Sequence, residues 1–107
     1  MAFIKDLPKN NFYAVIFSST KSEDLEGYRE MDERTMDLAS KQEGYLGFES
    51  ISHQNKTIFI SYWESRVAIE NWRQNAIHLM AKEKAHQWYF RYLSQICLVE
   101  SSHLFEK

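Results

Sequence analysis

The 107-residue chain holds one cysteine, Cys97. A lone thiol cannot close an internal disulfide, and without a CxxC partner it does not found a zinc site; set in an apolar run, it reads as a small buried hydrophobe. No stretch reaches the ~18 consecutive apolar residues of a membrane helix, and residues 1–8, which include Lys5 and Asp6, lack a signal-peptide core. The expected location is therefore cytoplasmic, with no membrane partner. An excess of one charge sign is also missing: 13 Lys and Arg against 15 Asp and Glu leave a net charge of −2, with no basic block and no acidic tail. Nucleic acid is not expected as a partner, because phosphate backbones are held by concentrated Lys and Arg. No repeat, linker or low-complexity segment divides the chain. Residues 1–107 read as a single domain with its core over about 11–100, too short for two cores.

What the chain does have is rings: seven Phe, six Tyr and three Trp, more than one small core readily hides. Residues 11–19 read as a strand with Phe12, Ala14 and Ile16 on one face and Tyr13, Val15 and Phe17 on the other. Being apolar on both faces, it needs cover on both. Over 24–41 the period turns helical, with Leu25, Tyr28, Met31, Thr35, Leu38 and Ala39 on one arc and acidic residues opposite. Gly44 ends that helix, and Gly47 inside the strand 45–53 marks a bulge or close approach. Gln54, Asn55 and Lys56 form a hairpin turn, 57–63 a third strand, and Ser65 the N-cap of a helix that carries Ala68, Ile69 and Trp72 inward. Asn71, Gln74 and Asn75 are weak helix formers and predict a break near Asn75 before a second helical piece over 78–84. Residues 87–100 read as a long final strand.

The order strand, helix, strand, strand, helix, strand predicts an α+β fold, a ferredoxin-like βαββαβ antiparallel sheet with its helices on one face. The opposite face is then open, and a second copy of the chain is its simplest cover. A homodimer is expected, with one pocket per subunit between sheet and helices.

The segment 60–89 gathers all three tryptophans and His78. Rings interleaved with one imidazole suit a small planar aromatic ligand, because the rings stack while the imidazole moves a proton or ligates. His78, beside Trp72, is the leading catalytic candidate; the alternative is a hydrogen-bonded histidine at the helix break. Trp72 is either a pocket wall or core packing, and Asn75 either an oriented amide donor or a solvated turn residue. Trp88, Tyr89 and Tyr62 are candidates for substrate binding, with core or dimer interface as their alternatives. Tyr62 and Trp63 point to opposite sheet faces, so at most one of them lines the pocket. No HxxxH or HExxH pair occurs, and no metal site is expected.

Tyr13-Ala14-Val15-Ile16-Phe17, Gly27-Tyr28, Gly44 with Leu46-Gly47, Glu49-Ser50, Ser61-Tyr62-Trp63-Glu64-Ser65, Ala68-Ile69, Trp72, His78, Ala81 and Trp88-Tyr89 together resemble the antibiotic biosynthesis monooxygenase domain family. The resemblance runs from about residue 12 to residue 100 and implies a dimeric α+β barrel. It implies either of two activities of the wider superfamily. One is cofactor-independent oxygenation of a polycyclic aromatic substrate, with His78 as base or orienting donor and Trp72 and Trp88 as walls. The other is oxidative breakdown of haem, with His78 as axial ligand and Trp72 against the macrocycle. A third reading is a non-catalytic dimeric domain that binds a small metabolite. The chain departs from close relatives of this pattern in lacking a glycine near Ala85 and an arginine near His53 and near Ser102.

Overall fold

A computed structural model describes residues 7–107, without the side chains of Ala76 and Ile77; residues 1–6, part of the stretch assessed for a signal, lie outside the described residues. The elements run β1 (Phe12–Lys21), α1 (Tyr28–Ala39), β2 (Tyr45–His53), β3 (Lys56–Trp63), α2 (Arg66–Arg73), α3 (Ala76–Glu83), α4 (Ala85–Trp88) and β4 (Tyr89–Val99). The strands form one antiparallel sheet in the order β2-β3-β1-β4. This is the expected ferredoxin-like α+β arrangement. No helix among the described residues is long and apolar enough to cross a membrane.

Pairing places the faces. Tyr13 lies opposite Trp63 and Val15 opposite Ser61 on β3, while Leu98 and Ile96 flank them on β4. Tyr13, Val15, Trp63, Tyr45 and Ile96 pack with Ala39, Leu38, Ala68, Ile69 and Trp72, so this face carries the helices. The alternate residues, Ala14, Ile16, Ile58, Ile60, Leu93 and Cys97, share the other face with Tyr62. Ile58 and Leu93 on that open face are 38% and 44% exposed.

Two local features follow their sequence signals closely. Tyr45 pairs with Trp63 but Gly47 with Tyr62, so Leu46 is the extra residue of a bulge, and Gly47 sits at φ 140°. Gln54 and Asn55 form a two-residue turn with Gln54 at φ 56°.

Several boundaries differ from expectation by a few residues, and two of the shifts follow from particular local features. The first helix starts at Tyr28 rather than near residue 24, because Gly27 stands in the left-handed region at φ 78° and interrupts any earlier turn. Residues 22–26 instead form a turn tied to α4: the Ser22 hydroxyl donates to the Gln87 carbonyl at 2.6 Å, and the Trp88 indole N–H to the Glu26 carbonyl at 2.9 Å. That second bond also explains the last strand. It begins at Tyr89, not Gln87, since residues 85–88 wind into a helical turn that buries Ala85 and Trp88 beneath the 22–26 turn.

Candidate functional site

α2 is short and strongly one-sided. Ser65 caps it, its hydroxyl oxygen accepting from the Ala68 N–H at 3.1 Å, and Ala68, Ile69 and Trp72 fall at i, i+1 and i+4 on the buried stripe. Trp72 is 7% exposed. The helix ends where the weak formers predict. The Asn75 N–H returns to the Trp72 carbonyl at 3.0 Å, and the Asn75 carbonyl accepts from the Leu79 N–H at 3.0 Å. Asn75 therefore occupies the N-cap position of α3, a position its residue type favours.

The break turns α3 back over α2. His78 is half-buried with its ring edge-on to Trp72, centroids 5.0 Å apart and planes at 61°. His78 Nδ1 is buried without a hydrogen-bond partner. Burial first, then the cations of Lys82 and Arg73, lower the imidazole below the ordinary histidine value. The ring is thus neutral at pH 7. An orphaned lone pair costs less than an orphaned N–H, so the proton belongs on Nε2 and Nδ1 presents its lone pair.

A second aromatic group lies along the other half of β1. Tyr28 on α1 meets Trp88 at 5.5 Å and Tyr89 at 6.1 Å, both edge-on, and Phe17 touches Tyr89 and Tyr92 at 5.4 and 5.3 Å. Burial, then the neighbouring Tyr28 and the Asp32 carboxylate, push the Tyr89 hydroxyl far above the ordinary tyrosine value. Desolvation likewise raises Asp32, opposed by Lys21. The Lys21 ammonium lies 5.5 Å from the Tyr28 ring centre and donates to Thr57 Oγ1 at 2.7 Å. Outside this group a hollow of about 700 Å³ opens between Lys21, Leu25, Tyr28, Arg29, Asp32 and Glu33.

The candidates from the sequence therefore divide into three places. His78, Trp72 and Asn75 come together at the α2–α3 break. Trp88 and Tyr89 belong to the second group, where Trp88 is held by its bond to Glu26 and braces the 22–26 turn. Tyr62 lies on the open face, away from both, with its ring 6.0 Å from Phe12 and its hydroxyl donating to Glu49 at 3.1 Å; of the Tyr62–Trp63 pair it is Trp63 that faces the helices, its indole donating to Ser61 Oγ at 2.9 Å. Sequence reasoning passed over Thr35, whose Oγ1 is buried without a partner. Its signal was a hydroxyl in the middle of the apolar arc of α1.

Haem ligation can be tested on these groups. An iron-bound imidazole normally donates its other ring N–H to an acceptor, which orients the ring. With iron on Nε2, Nδ1–H of His78 would be that donor, and it is buried with no acceptor in reach. The residues do not fit an axial haem ligand. Among the described residues, no group of three His, Cys, Asp or Glu side chains converges to hold a metal ion.

Comparison with known proteins agrees with this architecture. Residues 11–84 match the family model described as antibiotic biosynthesis monooxygenase. The uncharacterised protein YqjZ of Bacillus subtilis is 42% identical over 109 aligned positions, covering 100% of this chain and 96% of that protein. Among solved structures, SnoaB of Streptomyces nogalater, described as a cofactor-independent oxygenase, superposes with a TM-score of 0.69 at 12% identity, covering 91% of this chain and 99% of its own. A Shewanella oneidensis protein superposes with a TM-score of 0.74 at 6% identity, covering 95% of this chain and 100% of its own. At such low identity the two structures speak for the fold. The family model and the Bacillus relative speak for descent, and the chain belongs to the antibiotic biosynthesis monooxygenase family.

Proposed function

We propose that the chain is a monooxygenase that oxidises a planar hydroxylated aromatic compound without a bound cofactor, and that His78 is its base. The observation that carries this reading is the buried, unpartnered Nδ1 of a neutral imidazole set edge-on against Trp72. A general base needs a free lone pair at working pH, and a wall that holds a flat substrate beside it. Trp72 supplies the wall, and Asn75 stands at the start of the helix that carries the base.

The chemistry balances without an external reductant. His78 takes a proton from an activated CH₂ of the substrate, and the resulting carbanion passes one electron to O₂. The radical and superoxide combine into a peroxide, which takes the proton back from His78. Loss of water then leaves a carbonyl, so R₂CH₂ + O₂ gives R₂C=O + H₂O, with all four electrons coming from the substrate. The positive charges of Arg73 and Lys82, which already disfavour an imidazolium, favour the anionic species formed beside it.

In this reading the open sheet face, with Ile58 and Leu93, is covered by a second copy and the working form is a homodimer.

The test is oxygen uptake by chelator-treated, haem-free protein with anthrone or a dihydroxynaphthalene, against the rate in buffer. Uptake that is saturable and falls at least ~100-fold in His78→Ala supports a catalytic base. A saturable Soret band on titration with haem, bleached by ascorbate in air and lost in His78→Ala, would replace this reading with haem degradation.

A further inference from the structure

The segment 100–107 holds an apolar pair away from its own core. β4 stops at Val99, opposite Phe12, and the Ser102 N–H donates to the Lys9 carbonyl at 2.7 Å, so the segment leaves the sheet beside the start of β1. Past that tie, Leu104 and Phe105 are 72% and 76% exposed. Two large adjacent side chains in water add to the apolar surface that the core leaves uncovered.

A receptor of matching chemistry lies at the other end of the sheet. The β2–β3 hairpin carries a hollow of about 420 Å³ lined by Ile51 and Ile58, which pair across the strands, and by Thr20, His53 and Lys56. Ile51 is 73% exposed. Arg91, opposite Thr20, extends the basic edge onto β4. Among the described residues neither Lys56 nor Arg91 has an ion pair, and neither Glu100 nor Glu106 of the segment has one. Two isoleucines beside unpaired cations thus answer a Leu–Phe pair set between unpaired carboxylates.

Reach decides which copy the segment can serve. Phe12 and Ser18, the β1 partners of Val99 and Ile58, are six strand positions apart, about 20 Å. Ser102 is tied still further from the hollow, at Lys9 before β1 begins, and Phe105 reaches at most about 11 Å back from it. The segment cannot fill the hollow of its own chain. A second copy laid open face to open face with its strands reversed removes the difficulty. The apolar residues of β1 on that face are Phe12, Ala14 and Ile16, and a twofold axis level with Ala14 sets Lys9 of one copy level with Ser19 of the other. Ser19 stands between Ser18 and Thr20, the partners of Ile58 and Lys56.

We propose that in the homodimer the segment 100–107 of each copy crosses to the other and seats Leu104 and Phe105 in its hairpin hollow, between Ile51 and Ile58, with Glu106 paired to Lys56. This rests on the homodimer assigned above and is independent of the oxidation.

The experiment is a cross-link between copies in the Cys97→Ser background, which removes the one native thiol. Ile51→Cys and Phe105→Cys proteins are refolded together from urea and oxidised with copper phenanthroline, and the same sample is run in sedimentation velocity. The mixture should give at least ~5-fold more covalent dimer on a non-reducing gel than either variant alone, because a disulfide forms only where the two Cα atoms come within about 7 Å. Phe105→Ser, at an exposed position, should fold as wild type and raise the dimer dissociation constant about tenfold or more. Lys56→Glu and Glu106→Lys should each weaken the dimer, and together restore it. A dimer that gives no excess cross-link, or Phe105→Ser that dimerises as tightly as wild type, overturns the proposal and leaves the homodimer standing. A monomer in sedimentation overturns both.

Discussion

Gly44 lies hard against Ala68 of α2, and Gly44→Ala should reveal it. The residue has φ +87°, and a Cβ built on it would lie 2.6 Å from the Ala68 Cβ. Its carbonyl also accepts from the Glu64 N–H at 2.8 Å, so the loop is pinned at the start of α2 and cannot easily swing aside. A left-handed conformation costs a residue with a Cβ about 1–2 kcal/mol, and forcing a methyl into packed space costs about 1–3 more. The sum, about 2–5 kcal/mol, should lower Tm by at least ~10 °C in a domain of this size. The assay is thermal and denaturant unfolding of Gly44→Ala, Ala68→Gly and the double variant. Ala68→Gly alone should cost ~1 kcal/mol or somewhat more, from helix propensity and a lost methyl. In the double variant the new methyl occupies the place of the old one, so the overpacking disappears and the pair should show a favourable coupling of about 1–3 kcal/mol. Costs that add to within ~0.5 kcal/mol would refute the close approach as the reason for glycine here.

Three further outcomes are expected. Ser65→Ala removes the side-chain acceptor for the Ala68 N–H and should cost about 1 kcal/mol in urea unfolding, with Ser65→Asp close to wild type. The His78 imidazole should titrate by NMR below the ~6.5 of a free histidine; because burial is the largest cause, Lys82→Gln and Arg73→Gln should raise it only part of the way. Its contribution to stability is complete above the free value and is lost as pH falls through that value toward the folded one, so a stability optimum below pH 6 would contradict the assignment. Ile58→Glu, on the open sheet face, should convert a dimer to a monomer in light scattering while leaving the fold intact by circular dichroism.

Much of the architecture was legible because its signals are local and repeat. Alternation over Phe12 to Phe17 located β1 and its two apolar faces, Gly47 marked the bulge, and the weak formers around Asn75 located the break that brings His78 back onto Trp72. The misplaced boundaries were set by contacts distant in sequence. Ser22 and Glu26 hold Gln87 and Trp88 across more than sixty residues, and that pairing, invisible to any window, turns the start of the expected strand into a helical turn. The site was legible in part for a related reason. His78 and Trp72 are six residues apart, so a single break joins them. Trp88 and Tyr89 also stand near in sequence, but they are drawn away to Tyr28 and Phe17 by the sheet. Tyr62 was a matter of register, and one residue's shift separates the helix face from the open face. A hydroxyl in the apolar arc of α1 marks Thr35 in the sequence, but whether its bond is made is decided by the fold, which no periodicity can show.

The most direct test of the central claim is the fate of oxygen atoms in a single turnover. Haem-free, chelator-treated protein is given anthrone under ¹⁸O₂ in unlabelled water, and the ketone product is analysed by mass spectrometry. The account predicts one ¹⁸O at the newly formed carbonyl above the buffer control, with the gain abolished in His78→Ala. A product carrying no label, or a labelled product formed at the same rate by His78→Ala and wild type, would contradict it.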